Sequence, residues 1–285
     1  MKRIQNIGNI FTRQTRTWPV LMTVMVSLVL TISVSTGWAK NHTTPMNGDE
    51  GYEEEAPFEE AYIFFELNDT DGDLGIHAKI DGDAWKKLKI EDPRERTILN
   101  VTARGRLGRQ GLTELFFESA EPSFDELDPE DFFRRFPEGV YEVEGMTLEG
   151  EALESEVEIS HVMPAPPRIY VNGEPIFSED DPSYINCDDP LTEVSAPVII
   201  SWDPVTTSHP EIGTPGEDIY VHNYEVVVEI DEEPWVTSTI LPPDTTSFEV
   251  PYEILDLNDE IKFEVLVRAD NWNQTAIESC FELEE

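Results

Sequence analysis

Residues 257–269, LNDEIKFEVLVRA, carry apolar side chains at Leu257, Ile261, Phe263, Val265, Val267 and Ala269, with Glu264, Leu266 and Arg268 between them. Successive side chains of a strand point to opposite faces, so this pattern predicts a half-buried antiparallel strand. A helix needs a 3.6-residue period, which the stretch lacks.

The same alternation predicts strands at 61–67, 75–80, 84–90, 97–103, 112–119, 139–146 and 152–162. It returns at 168–177, 196–205, 220–231, 245–251 and 275–283. Turn residues separate the runs, among them Asp81-Gly82-Asp83, Arg104-Gly105 and Glu149-Gly150. Short strands at this spacing predict an all-β fold of two tandem β-sandwiches. One helix is expected over 126–136, where Asp128 caps, Pro129 takes the first helical position, and Pro137 and Gly139 end it.

Local sequence then suggests families. The order Leu-x-Asp-x-Ile-x-Phe-x-Val-x-Val-x-Ala at 257–269 resembles the sixth strand of a fibronectin type III domain. Ser201-Trp202-Asp203-Pro204 resembles the second strand of that family, with Val198, Ile200 and Trp202 inward. The resemblance spans most of residues 164–285. It departs at Phe263, where the family usually has Tyr, so the tyrosine corner is absent there or relocated. Residues 137–164 resemble the last two strands of an immunoglobulin-like domain. The expected organisation is a signal at 1–39, an acidic tether at 40–57, an immunoglobulin-like sandwich at 58–163 and a fibronectin type III-like domain at 164–285. Pro164-Ala165-Pro166-Pro167 stiffens the junction.

The signal reading rests on Lys2, Arg3, Arg13 and Arg16 before an apolar run from Trp18 to Val34, then Gly37-Trp38-Ala39. Cleavage is expected after Ala39, and the alternative is an uncleaved anchor. Contact with a membrane follows only from the second. Export is expected either way, to the outside, a periplasm or the cell surface. Residues 1–39 hold four bases and no acid, so without them 60 acids face 15 bases, a net charge of −45. Such a surface repels nucleic acid and favours cations and basic partners. Cys187 and Cys280 are the only cysteines, and in an oxidising compartment a lone pair predicts a disulfide.

No Gly-x-Ser-x-Gly, His-Glu-x-x-His, phosphate loop or dinucleotide fingerprint occurs, so the chain reads as non-catalytic. Two candidate sites stand out. Asp69, Asp71 and Asp73 alternate around Gly72 in a stretch that begins like an EF-hand loop, and such carboxylates suit calcium, here in a β-hairpin. Between Lys79 and Arg109 lie nine bases against five acids. A hairpin turning at 81–83 puts His77, Lys79, Trp85, Lys87 and Lys89 on one outer face, a candidate surface for an anionic glycan or acidic protein. The loop bearing His209, Glu211, Asp218 and His222 matches no metal-ligand spacing. The expected function is an exported interaction or structural module. The alternatives are a calcium-stabilised domain and an accessory module of a secreted hydrolase system.

Overall fold

Strands dominate the computed structural model, which describes residues 56–176, 193–230 and 233–284. The first part holds β1 (Glu60–Asn68), β2 (Asp73–Glu91), β3 (Thr97–Thr102), β4 (Leu112–Glu118), β5 (Gly139–Thr147), β6 (Ala152–Ile159) and β7 (Val162–Pro164). Helices α1 (Leu107–Gln110) and α2 (Pro129–Arg135) precede β4 and β5. The second part holds β8 (Ile169–Val171), β9 (Glu174–Pro175), β10 (Glu193–Val194), β11 (Ile199–Trp202), β12 (Ser208–Gly213) and β13 (Val221–Glu229). It continues with β14 (Val236–Leu241), β15 (Ser247–Glu249), α3 (Tyr252–Leu255), β16 (Glu260–Ala269) and β17 (Gln274–Leu283).

The fold is all-β, as alternation predicts, and it builds two sandwiches with separate cores. The first core gathers Phe65, Ile80, Trp85, Leu88, Tyr141 and Val143. The second gathers Trp202, Tyr224, Val226, Phe263, Val265 and Phe281. In the second sandwich the order β14-β13-β16-β17 faces β15-β11-β8, the two-sheet arrangement that the fibronectin type III resemblance implies. Helix α2 starts as expected: the Asp128 side chain accepts from the Glu130 N–H at 2.8 Å, with Pro129 first in the helix. Its Phe132 and Phe133 pack edge-on against Phe65. The hydroxyl that Phe263 lacks is found elsewhere: Tyr141 Oη donates to the Pro137 carbonyl, four residues upstream, at 3.0 Å. That is the bond of a tyrosine corner, placed in the first sandwich.

The sandwiches share a sheet. Strand β1 runs parallel to β17, with Glu66 beside Gln274 and Asn68 beside Ala276, so one sheet of eleven strands crosses the junction. Side chains lock it. Asn273 Nδ2 donates to the carbonyls of Ser160 and Val162, and Thr275 Oγ1 donates to the Pro164 carbonyl at 2.7 Å.

One expectation fails here. The chain does not turn at 81–83. Strand β2 runs unbroken for 19 residues, pairing first with β1 and β4 and then with β3 and β5. Its pairing slips between Asp81 and Trp85 and again between Trp85 and Lys87. Extra residues of this kind bend a strand and flip the parity of its side chains. Ile80, Leu88 and Ile90 therefore face the core from even positions, and Trp85 joins them from an odd one, fully buried. Trp85 cannot belong to an outer face.

Candidate functional site

The proposed aromatic and basic face does not assemble. Besides the buried Trp85, His77 is 3% exposed. Lys79 pairs with Glu60 at 2.5 Å, and Lys89 with Glu144 at 2.7 Å and Glu91 at 3.1 Å. Lys87 is exposed on β2. The burial of Trp85 and the slip around it remove the geometry on which that face depended.

The aspartate turn does form between two strands, and Gly72 takes the left-handed backbone (φ 64°) that the turn needs. Its carboxylates go separate ways. Asn68 Oδ1 accepts from the N–H groups of Thr70 and Asp71, both at 3.1 Å. Asp69 Oδ1 accepts from His209 Nε2 at 3.1 Å. His209 Nδ1 meanwhile accepts from the N–H groups of Glu211 and Ile212, so the tautomer with hydrogen on Nε2 is fixed. Asp71 is exposed, while Asp73 faces Glu121 and Glu278. Among the described residues two groups of three ligand-type side chains converge, Glu66-His77-Glu121 and Glu91-Glu142-Glu144, and the turn aspartates are in neither. Two members of the second group, Glu91 and Glu144, pair with Lys89.

The first group sits in the outer face of the shared sheet. Alternation puts Glu66 on β1, His77 on β2, Glu264 on β16 and Glu278 on β17 on that face, while their neighbours enter the cores. Glu66 lies beside Gly75 and Gln274, and Glu264 directly opposite Glu278. A Cβ at Gly75 would collide with the Glu121 carboxylate, so glycine is what lets Glu121 lie over β2. Glu121 Oε1 then meets His77 Nε2 at 2.9 Å, and Glu66 Oε2 lies 3.6 Å from His77 Nδ1. The Gln274 amide donates to Glu66. Phe64 and Phe116 flank the imidazole, and the Arg268 guanidinium lies on the same face, 6.0 Å from the Phe64 ring centre and donating to Gln274 Oε1 at 2.7 Å.

Crowded acids in a half-buried face cannot all ionise. Burial, then Glu121, Asp71, Glu278 and Glu66, push Asp73 up to about 7. Burial, then Glu66, Glu278 and Glu225, push Glu264 up to about 8. Glu264 has no hydrogen-bond or ion-pair partner among the described residues. Burial also raises Glu66, against the pull of His77. Burial opposes the charge on His77, but the Glu121 hydrogen bond and the Glu66 charge outweigh it and raise its pKa. Lys262 Nζ, 2.6 Å from Glu278, supplies one compensating charge. With both ring nitrogens facing carboxylates, His77 is held as an ion-pair partner and not as a free base. The face can take up positive charge.

Sequence reasoning missed Glu66, Glu121, Glu264 and Glu278. Three of them left a signal: a single acid inside an apolar strand, in FFEL, KFEVLV and IESC. Cys280 is buried on β17, and its expected partner Cys187 lies outside the described residues. The expected signal at 1–39 and most of the tether also lie outside them. No helix among the described residues is long and apolar enough to cross a membrane.

No family model matches the chain, and no curated protein does. Solved structures do. The fibronectin domains FN1–FN3 of chicken CNTN1 share 12% identity over 80% of this chain and 69% of that one, with a TM-score of 0.29. A two-domain fibronectin type III segment of chicken tenascin shares 11% over 79% and 98%, with a TM-score of 0.26. A tetra-tandem repeat from the extending region of a large adhesion protein shares 13% over 79% of this chain, with a TM-score of 0.26, and this chain spans half of its length.

Proposed function

We propose that the chain is an exported, non-catalytic interaction module, a stiff pair of sandwiches whose acidic sheet face takes a cationic partner. Immunoglobulin-like and fibronectin type III-like domains at 58–163 and 164–285 are the organisation that goes with this reading, supported by the Tyr141 corner and the two separate cores. One observation carries it: Glu66, Glu121, Asp73, Glu264 and Glu278 are crowded onto one face of the shared sheet with too few bases to neutralise them. Positive charge brought by a partner relieves that repulsion, and the shared sheet holds the acids in place while it does so. The test is capture by the immobilised chain of an exported-protein extract, at low and high salt, beside a Glu66→Gln, Glu121→Gln, Glu278→Gln variant. Salt-sensitive capture that the variant loses supports the reading, and equal capture by both sinks it.

Calcium stabilisation is the second reading, and the raised carboxyl of Asp73 favours it. Glu121 and Glu278 are among the charges that raise it, a crowding that a bound cation would relieve. Calcium should raise the melting temperature of the wild type more than magnesium does at equal ionic strength. The same response in an Asp73→Asn, Glu121→Gln variant shows diffuse screening instead.

A further inference from the structure

Strand β14 ends the eleven-stranded sheet, and among the described residues β13 is its one strand neighbour. Its outer edge therefore offers unpaired N–H and C=O groups, a template for another strand. Proteins usually blunt such an edge with charge, proline, a bulge or a cover. The far end of the same sheet is treated that way. Strand β6 carries Glu154, Glu156 and Glu158. Ala56 covers part of its edge, donating to the Ala152 carbonyl at 3.2 Å and accepting from the Glu154 N–H at 2.9 Å.

Among the described residues β14 has none of these defences. Val-Thr-Ser-Thr-Ile-Leu contains no charge and no proline, and its pairing with β13 shows no register shift. Val236 is 59% exposed and Ile240 62%, with Trp235 at 53% just before them. Two of the three outward residues of β13 next to this strand are acidic, Glu229 opposite Val236 and Glu225 opposite Ile240, with Val227 between them opposite Ser238; the glutamates lie 3.7 Å from Lys262 and Arg268, respectively. Thr237 and Leu241 lie opposite the buried Val228 and Tyr224, toward the core side.

We propose that the β14 edge binds an extended segment of a partner protein as an added strand, in which apolar and basic residues alternate. This rests on the reading of the chain as an interaction module and names the kind of partner it takes. Main-chain bonds to β14 supply the docking, as in other strand-addition complexes. The apolar residues of the segment continue the core side beside Thr237 and Leu241. Its basic residues fall on the outer side, within reach of Glu225 and Glu229. A second copy of this chain suits the site poorly, because each carries a net charge of −41.

The probe is a short fluorescent peptide of alternating lysine and valine, its control the same peptide N-methylated at every second residue. Charge is identical in the two, but the control cannot complete the ladder. At physiological ionic strength the wild type should bind the probe at least tenfold more tightly than the control. A Val236→Lys, Ile240→Lys variant, changed only at exposed positions, should lose that preference while keeping its melting temperature. Equal binding of probe and control shows diffuse charge attraction and overturns the proposal. So does a preference that the lysine variant retains. Sedimentation of the chain alone adds a further test: a wild-type dimer that the variant abolishes assigns the edge to a second copy and overturns the heterologous partner. Failure at the edge leaves the sheet-face reading standing if the Glu66, Glu121, Glu278 variant still loses capture.

Discussion

Asn273 Oδ1, on the hairpin leading into β17, accepts from the N–H of Phe65 on β1 at 2.9 Å, across 208 positions of sequence. The same side chain donates to Ser160 and Val162, and only 1% of the residue is exposed. One amide thus closes three backbone groups where the sandwiches meet. Asn273→Ala removes the side-chain partner of the Phe65 N–H and the Ser160 carbonyl, at about 1–3 kcal/mol for each one left buried and unpaired, while the Val162 carbonyl keeps the Asn271 amide. The wild type should melt in a single calorimetric transition, and the variant should split it or shift it down by several degrees. An unshifted single transition would mean that the junction is held elsewhere.

Trp85→Ala should destabilise the chain by about 3–5 kcal/mol in urea, as removal of a buried aromatic side chain does. Lys87→Ala, two residues on and exposed, should change stability by less than about 0.5 kcal/mol. Comparable small effects for both would return Trp85 to the surface.

Stability should rise on mild acidification. A carboxyl whose folded pKa lies above its unfolded value favours the folded state at low pH, and that contribution is lost as pH rises through the folded value. Asp73 loses it from its ordinary 3.8 up to about 7. Glu264 loses it from 4.5 up to about 8. Glu66 and His77 are also raised and carry the same sign. Asp92 has the opposite sign: burial pushes its carboxyl up, but hydrogen bonds from Arg96 and Arg94 outweigh this and lower it, so it costs stability only in stronger acid. The melting temperature should therefore be highest near about pH 4 and fall steadily up to about pH 8. Glu264→Gln should be more stable than wild type by a few degrees on the alkaline side and should flatten the profile. A wild-type curve that climbs toward alkaline pH would contradict the crowding of this face.

The disulfide between Cys187 and Cys280 remains a proposal with a direct chemical check. The exported protein, unfolded without reductant, should react with no thiol reagent, and reduction should lower its stability by about 2–4 kcal/mol. Two labelled thiols per chain would remove the bridge.

Alternation made β1, β5, β13 and β16 legible, because each buries one face and turns the other outward. Helix α2 was legible from its cap and its proline. β2 was not, because Asp81-Gly82-Asp83 has the composition of a turn and the long-range pairing with β4 and β5 draws it out as one bent strand. The carboxylate face escaped for a related reason. Asn68 donates to the Glu278 carboxylate at 2.8 Å across 210 positions of sequence, and only the parallel pairing of β1 with β17 brings the two strands together.

Asn273 also begins an Asn-Gln-Thr triplet, the acceptor sequence for N-linked glycosylation. Its amide nitrogen is committed to two carbonyls, and Thr275 is fully buried, so a transferase can reach this acceptor only before the chain folds. An oligosaccharide added there during translocation would occupy the nitrogen that closes the junction. The choice of production host therefore has a structural consequence: a eukaryotic secretory pathway that modifies Asn273 should yield chains unable to seat β1 against β17, while a host without that machinery should yield a homogeneous product.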